Sequence, residues 1–385
     1  MRIHWKRFFR LRRWVKSISF FLSDPIYRLP QNEVREKGSL LLIKTEAIGD
    51  YILFRNFLQS IRENEKFRGY QIFLIGNELW KPLVNKFDQP YLDFSFFINK
   101  KKFLSEPKYR QEFLSQFSKI HFDKAINCTY SREFISGDLM MRSISAKEKI
   151  GMIGNSVSEI PPLKWVGNFF YSRLVGSDRN NYFEFDCNKY FFEQVLEEKV
   201  DIEYPILPIK LEEKGYVVLL PGAQDKAREW PANSFKDLAK RLHNQYNCKI
   251  ILTGSKAEID AANCIIDSEN STYVENLCGQ TKLEDLPELL AGARLAVCND
   301  SGTLHIAAAL GVPSICISNG NHFGRFTPYP NFEKRKLAFL YPKRFLNEHK
   351  TENERRSEMA FGSKYSIGEI GIEEVWEAVV KLMHE

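Results

Sequence analysis

Three stretches of the chain bring carboxylates, cations and glycines to the place where a strand hands over to a helix. The first is Thr45-Glu46-Ala47-Ile48-Gly49-Asp50. The second runs from Pro221-Gly222 through Lys226 and Arg228 to Trp230-Pro231. The third is Cys298-Asn299-Asp300-Ser301-Gly302-Thr303-Leu304-His305. Helix starts present free amides and the positive end of the helix dipole, so a diphosphate is the natural guest of such loops.

Each residue also has a plainer use. Asp50 is either the N-cap of its helix or a base that takes the proton from an incoming hydroxyl. Glu46 is a second carboxylate that acts on Asp50, binds the acceptor or is simply solvated. Gly49 suits a tight turn and close backbone approach, and Gly222 loosens the end of its strand. Lys226 and Arg228 stand before a helix that begins after Pro231. Cations are disfavoured at helix starts, so they are either solvated or resolved by a bound phosphate. Ser301 and Gly302 offer amides and a hydroxyl. Asp300 is a cap, or it orders the loop and bonds the ligand. His305 lies in the first turn of an apolar helix, as a core residue or a ligand contact.

Other chemistries lack their signatures. The chain contains no Gly-x-Gly-x-x-Gly, no Gly-x-x-x-x-Gly-Lys-Ser/Thr and no Gly-x-Ser-x-Gly. Nor is there an Asp-x-Asp pair to hold a divalent metal against a nucleotide sugar. Seven cysteines, none in Cys-x-x-Cys spacing, read as reduced core residues of a cytoplasmic protein.

The elements that must position these loops are legible from apolar runs. Ser39 to Lys44, Gln71 to Gly76 and Asp123 to Cys128 read as strands of one sheet, with a helix from about Asp50 to Glu63. Tyr216–Leu220, Lys249–Thr253, Leu295–Cys298 and Ser314–Ile317 read as strands of a second. Helices are expected between the latter at about 232–246, 256–268, 283–292 and 303–310, with Gly311 closing the last. Residues 90–120 and 155–200 are read as loops and helices facing an acceptor, and 203–215 as a linker. The final helix, Gly368 to His384, is amphipathic and free to cross back onto the first domain.

The 385 residues suit two α/β domains of doubly wound type. The expected division is 1–37, a basic aromatic N-terminal segment; 38–205, an acceptor-side domain; 206–365, a donor-binding domain; and 366–385, the C-terminal helix.

The formal charge of +6 is concentrated at one end. Residues 1–16 carry seven Lys or Arg and no acid, and the remaining body is close to neutral. The basic balance therefore describes an N-terminal segment and gives no case for a nucleic-acid groove. Trp5, Phe8, Phe9, Trp14, Ile18 and Phe21 recur near helical spacing among those cations. Residues 1–22 therefore read as an interfacial helix on an anionic membrane surface, or a helix packed on protein. No apolar run is long enough to span a membrane.

Together the motifs resemble the heptosyltransferases of glycosyltransferase family nine. LLIKTEAIGDYIL, VVLLPGAQDKAREWPANSFKDLAKRL and LCGQTKLEDLPELLAGARLAVCNDSGTLHIAAALGVPSICI carry the likeness across roughly residues 38 to 330. The resemblance implies a GT-B fold, with two Rossmann-like domains facing a cleft. It also implies inverting, metal-independent transfer from ADP-heptose, with no cofactor, onto a lipopolysaccharide or lipooligosaccharide core or a related surface glycan. Asp50 then matches the catalytic base. Arg228, Asp300, Ser301, Gly302 and His305 match donor and diphosphate contacts, with Ser301 in place of the usual Thr. Glu258 corresponds to a ribose contact, and Gly49, Gly222 and Lys226 complete the loops.

The implied partners are a nucleotide-sugar donor, a glycolipid or glycan acceptor and the inner face of the bacterial inner membrane. Two departures stand out, the extension 1–37 and the segment SNGNHFGRFTPY after the last strand. Alternatives are a related transferase with another nucleotide sugar or a protein acceptor, and a catalytically silent GT-B binding protein.

Overall fold

The computed structural model describes residues 14–27, 38–155, 159–176, 183–330, 335–360 and 362–384. The chain divides into two compact units. One comprises 1–47, 57–181 and 186–201, and the other 48–56, 182–185 and 202–385. The helix that carries Asp50 thus belongs with the second unit, although it follows the first strand of the first.

The first unit contains β1 (Ser39–Ile43), β2 (Gln71–Asn77), β3 (Phe94–Ile98), β4 (His121–Asn127), β5 (Ser145–Met152) and β6 (Arg173–Val175). They form a parallel sheet in the order β3-β2-β1-β4-β5-β6. The second contains β7 (Tyr216–Leu220), β8 (Lys249–Leu252), β9 (Val274–Asn276), β10 (Ala293–Asn299), β11 (Ser314–Ile317) and β12 (Leu337–Leu340). Its order is β12-β11-β10-β7-β8-β9. In each parallel sheet the order of the strands reverses between the unit's first and fourth strands. In sheets wound this way, ligands bind outside the carboxyl ends of those two strands.

Burial explains which strands were readable. All five residues of β1 and all four of β11 are buried, as parallel strands covered on both faces must be. β3, β6, β9 and β12 are edge strands and β5 carries Lys147, Glu148 and Lys149. These five lie outside the sequence expectation because part of each is solvated. β3 falls within 90–120, where only loops and helices were expected.

The expected helix from Asp50 to Glu63 is two helices, Ile48–Ile52 and Asn56–Glu63. Residues 256–268 shorten to a 3-10 turn, Lys256–Glu258, followed by Ile259–Ile265. Gly311 closes the helix Gly302–Leu310 in the left-handed conformation, φ 79°.

The last helix, Ile372–His384, settles on its own unit. Val375, Val379 and Leu382 join Val217, Leu219, Leu295, Val297, Ile315 and Ile317 in one core. Burying each of these three side chains contributes about 1.5–3 kcal/mol, enough to hold the helix there.

Of the N-terminal segment, 1–13 lie outside the described residues, and with them Trp5, Phe8 and Phe9. Residues 14–23 are helical. Phe21 does not face outward as an interfacial anchor would. Its ring packs 6.3 Å from those of Phe134 and Phe170. Asp24, just beyond, makes a buried pair with Arg110 at 2.6 Å. All seven cysteines are free, six of them buried; Cys264 is exposed, so it is not the core residue expected.

Candidate functional site

The second unit gathers most of the candidate residues at the carboxyl ends of β7 and β10. Arg228 closes a 3-10 turn, Lys226–Arg228, and folds back onto the third loop. Its Nη2 donates to the Asp300 carbonyl and lies 3.5 Å from the Asp300 carboxylate. Arg228 is thus no solvated surface cation. Its Nε is buried without a hydrogen-bond partner, a donor left over for something else. Lys226, by contrast, is exposed.

Asp300 does not cap the helix, which begins at Gly302 with Ser301 in the cap position. Instead it orders the loop. Its Oδ2 accepts from Ser318 Oγ at 3.0 Å. Burial raises its pKa, and Arg228, Ser318 and Thr327 oppose that rise. The Ser301 hydroxyl makes no capping bond and pairs with Thr303 Oγ1 at 2.8 Å. The helix start is half-buried and its amides have no side-chain cap, while Leu304 to Leu310 are buried. The helix thus opens with amides that no side chain caps.

Gly49 and Gly302 meet there. A Cβ on Gly302 would come within 3.2 Å of the Gly49 amide nitrogen, and one on Gly49 would stand 2.6 Å from His305 Cδ2. Gly49 is inside a helix rather than in a tight turn, so its use is close packing. Arg55 donates to the Ile206 carbonyl, and Asn56 bonds Ile206 in both directions at 3.0 and 2.9 Å. These contacts tie the Asp50 helix into the second unit. Gly49→Ala is expected to destabilise the protein by about 1–3 kcal/mol, since the ring it strikes has no room to yield. A thermal melt checks this; an unchanged midpoint would contradict the packing.

His305 is that ring. Its Nδ1 pairs with Tyr329 Oη at 2.7 Å, and the two rings stack. Burial first, then Arg228, push its pKa down to about 3, against the pull of Glu184. His322 is pushed down to about 4 by burial, Arg325 and Arg228, with a backbone bond to Ala360 opposing. Both imidazoles are neutral in the folded protein at pH 7. The unfolded chain takes up these protons first, near pH 6.5.

Stability is therefore intact above about pH 6.5 and is lost as pH falls toward the two folded values. The loss is up to about 1.4 kcal/mol per pH unit for each histidine. Asp300, with its raised pKa, works in the opposite sense. In His305→Gln the melting temperature should fall less steeply between about pH 6.5 and 5 than in the parent. An equal slope would remove His305 from this account.

Asp50 lies within the first turn of its helix, not before it as an N-cap would. Its carboxylate is 3.9 Å from Arg325 Nη2. Arg325 Nε in turn donates to Glu184 Oε2 at 2.9 Å, and the Glu184 amide donates to the Arg325 carbonyl at 2.8 Å. Arg325 and Glu184 were not among the sequence candidates. Arg325 lies in SNGNHFGRFTPY, the departing segment, and a lone cation after a third strand end was its available signal. Glu184 had none.

Glu258 stands apart from this cluster, at the ends of β7 and β8. Its Oε2 accepts from the Ser255 amide at 2.6 Å in a capping box. Gly222 gives it passage, because a Cβ there would lie 2.3 Å from Glu258 Cγ. Loosening of the strand end is thus not what Gly222 provides.

Glu46 belongs to the first unit. Its carbonyl accepts from Asn77 Nδ2 at 3.1 Å and Trp80 Nε1 at 3.0 Å, and its carboxylate is 3.8 Å from buried Lys44. Among the described residues no group of three or more His, Cys, Asp or Glu is placed to hold a metal ion.

The chain resembles the crystal structure of a glycosyl transferase family 9 protein from Veillonella parvula, with TM-score 0.68 and 16% identity over 90% of this chain and 97% of that one. It likewise resembles the E. coli heptosyltransferase WaaC with ADP, with TM-score 0.66 and 17% identity over 89% and 99%. The fold is therefore of the GT-B class, with two parallel α/β domains.

In sequence, residues 186–352 match the model for glycosyltransferase family 9 (heptosyltransferase). Lipopolysaccharide heptosyltransferase 2 of Salmonella typhimurium is 31% identical over 177 residues, 45% of this chain and 48% of that protein. Lipooligosaccharide heptosyltransferase 2 of Campylobacter jejuni is 31% identical over 163 residues, 39% and 50%. The chain spans about half the length of the curated relatives it matches. The family resemblance read from the motifs is borne out, and the matched range covers its second and third stretches.

Proposed function

We propose that this chain is an inverting heptosyltransferase, moving heptose from ADP-heptose onto a lipopolysaccharide or lipooligosaccharide core acceptor. The observation that carries the reading is the convergence, in one unit, of Asp50 with Arg325 and of Arg228 with the helix start at Ser301–Gly302. The sequence match to heptosyltransferases supports the donor sugar.

Asp50 takes the proton from the acceptor hydroxyl, which attacks the anomeric carbon from the side opposite the diphosphate. As that bond forms, the bond to the diphosphate breaks and ADP leaves with the electron pair. Arg228 and the amides at Ser301–Gly302 stabilise the leaving charge, and electrostatic stabilisation of this kind is usually the largest contribution. His305, neutral and bonded to Tyr329, shapes the floor of the site. Glu258 contacts the ribose. No divalent metal is required, since the cation and amides take its place. The enzyme works at the inner face of the inner membrane, held by residues 1–22.

Purified protein should be incubated with a panel of nucleotide sugars, a lipopolysaccharide core acceptor and a chelator. Release of ADP from ADP-heptose, and a product heavier by one heptose with inverted anomeric configuration, is expected. Turnover of another nucleotide sugar alone, or loss of turnover with chelator, would overturn the reading.

A further inference from the structure

Two helices of the first unit turn apolar side chains outward. In the helix 14–23, Ser17 and Phe20 face the protein, with Asp24 just beyond. Trp14, Val15, Ile18 and Leu22 form the opposite stripe, and Leu22 is 77% exposed. In Pro161–Asn168, Leu163 and Gly167 are buried. Trp165 and the capping residue Phe169 are 64% and 69% exposed and pair edge to face at 4.7 Å. A surface helix ordinarily buries its apolar stripe and gives water a polar one. Here a second apolar stripe is left over on both helices.

The two stripes adjoin. Phe20, Leu163 and Phe134 share one buried cluster, with Phe21, Val166 and Phe170 packed against it. Phe21 and Phe170 are in ring contact, and their chain neighbours Leu22 and Phe169 are the exposed ones. We propose that these stripes form one face that docks on an anionic lipid bilayer. This deepens the membrane-surface reading above and rests on it, adding the helix Pro161–Asn168, which the sequence placed among acceptor-facing elements.

Charge selects lipid over a second copy of the chain. Arg2, Lys6, Arg7, Arg10, Arg12 and Arg13 lead directly into Trp14, with no acid among them. Lys100–Ser105, whose Leu104 packs on the same cluster, adds exposed Lys101 and Lys102. Cations that precede Trp14 in the chain, with Lys101 and Lys102 beside the cluster, complement anionic headgroups and disfavour a second copy of the chain. Tryptophan and phenylalanine beside cations suit the depth of the headgroups. The buried Asp24–Arg110 pair fastens the first helix to the body, so docking would orient the whole unit.

The test is co-sedimentation of the full chain with vesicles of phosphatidylglycerol and phosphatidylethanolamine, at low and at high salt. The Trp165→Ser/Phe169→Ser variant should partition roughly tenfold less at both salts, with its melting temperature and its calorimetric affinity for ADP unchanged. Removing residues 1–13 should weaken binding chiefly at low salt. Partition of the double variant equal to the parent would overturn this face while leaving the role of residues 1–22 intact. A parent that binds no vesicles would sink both readings. A concentration-dependent dimer dissolved by the double variant, with vesicle binding unaltered, would overturn lipid docking in favour of self-association.

Discussion

Replacing Asp50 with asparagine should lower kcat for glycosyl transfer by about 10²–10⁴-fold, the range a positioned general base supplies. The side chain keeps its shape and its place in the helix Ile48–Ile52, so the loss is expected in kcat and not in donor binding. Calorimetric titration with ADP should return an affinity close to that of the parent, because the residues assigned to the diphosphate are untouched. Arg325 sharpens the expectation. Its guanidinium stands 3.9 Å from the carboxylate and also bonds Glu184, so it positions Asp50. Arg325→Gln should therefore lower kcat while ADP affinity by calorimetry stays close to that of the parent. Transfer by Asp50→Asn at the parental rate would remove the base assignment.

Replacing Arg228 with alanine should cost both activity and stability. A lost donor to the leaving diphosphate is expected to lower kcat by about 10²–10³-fold, the size seen when one preorganised donor to transition-state charge is removed. Stability suffers for another reason. Asp300 is buried and its carboxylate faces Arg228 at 3.5 Å. Removing one partner of a buried pair leaves the other charge uncompensated, at about 3–5 kcal/mol. That figure is an upper range here, because Arg228 is partly exposed and Ser318 still bonds Asp300. Arg228→Lys should restore much of the stability and less of the rate, since an ammonium cannot reproduce the guanidinium fork. If Arg228→Ala released ADP at the parental rate, the phosphate role would fail even if the protein had become less stable.

The strands that flank the site were readable because of where they lie. β1, β7, β10 and β11 stand at or beside the reversal of each sheet and are buried except at Tyr216 and Arg294, so each shows an apolar run in the sequence. β9, with only Val274 buried, has no such run. The helix 302–310 was legible for a similar reason: it is apolar all round and closed by Gly311. Individual roles were less legible. A sequence shows that Asp50, Asp300 and His305 stand near helix starts, and each of those positions has both a capping or packing use and a chemical one. The alternatives separate only when partners are known. Ser318 and Arg228 reach Asp300, Tyr329 holds His305, and Arg325 approaches Asp50.

What the sequence determined alone was the set of strand–loop–helix junctions and the residue types placed at them, since buried runs, turn glycines and helix stops are encoded within a few neighbouring positions. The tertiary structure decided which junctions share a unit. It put the Asp50 helix against Gly302 and His305, and it brought Glu184 to Arg325 across 141 positions of chain. Contacts between distant segments depend on shape and packing that leave no local period, so they exist only once the chain has folded.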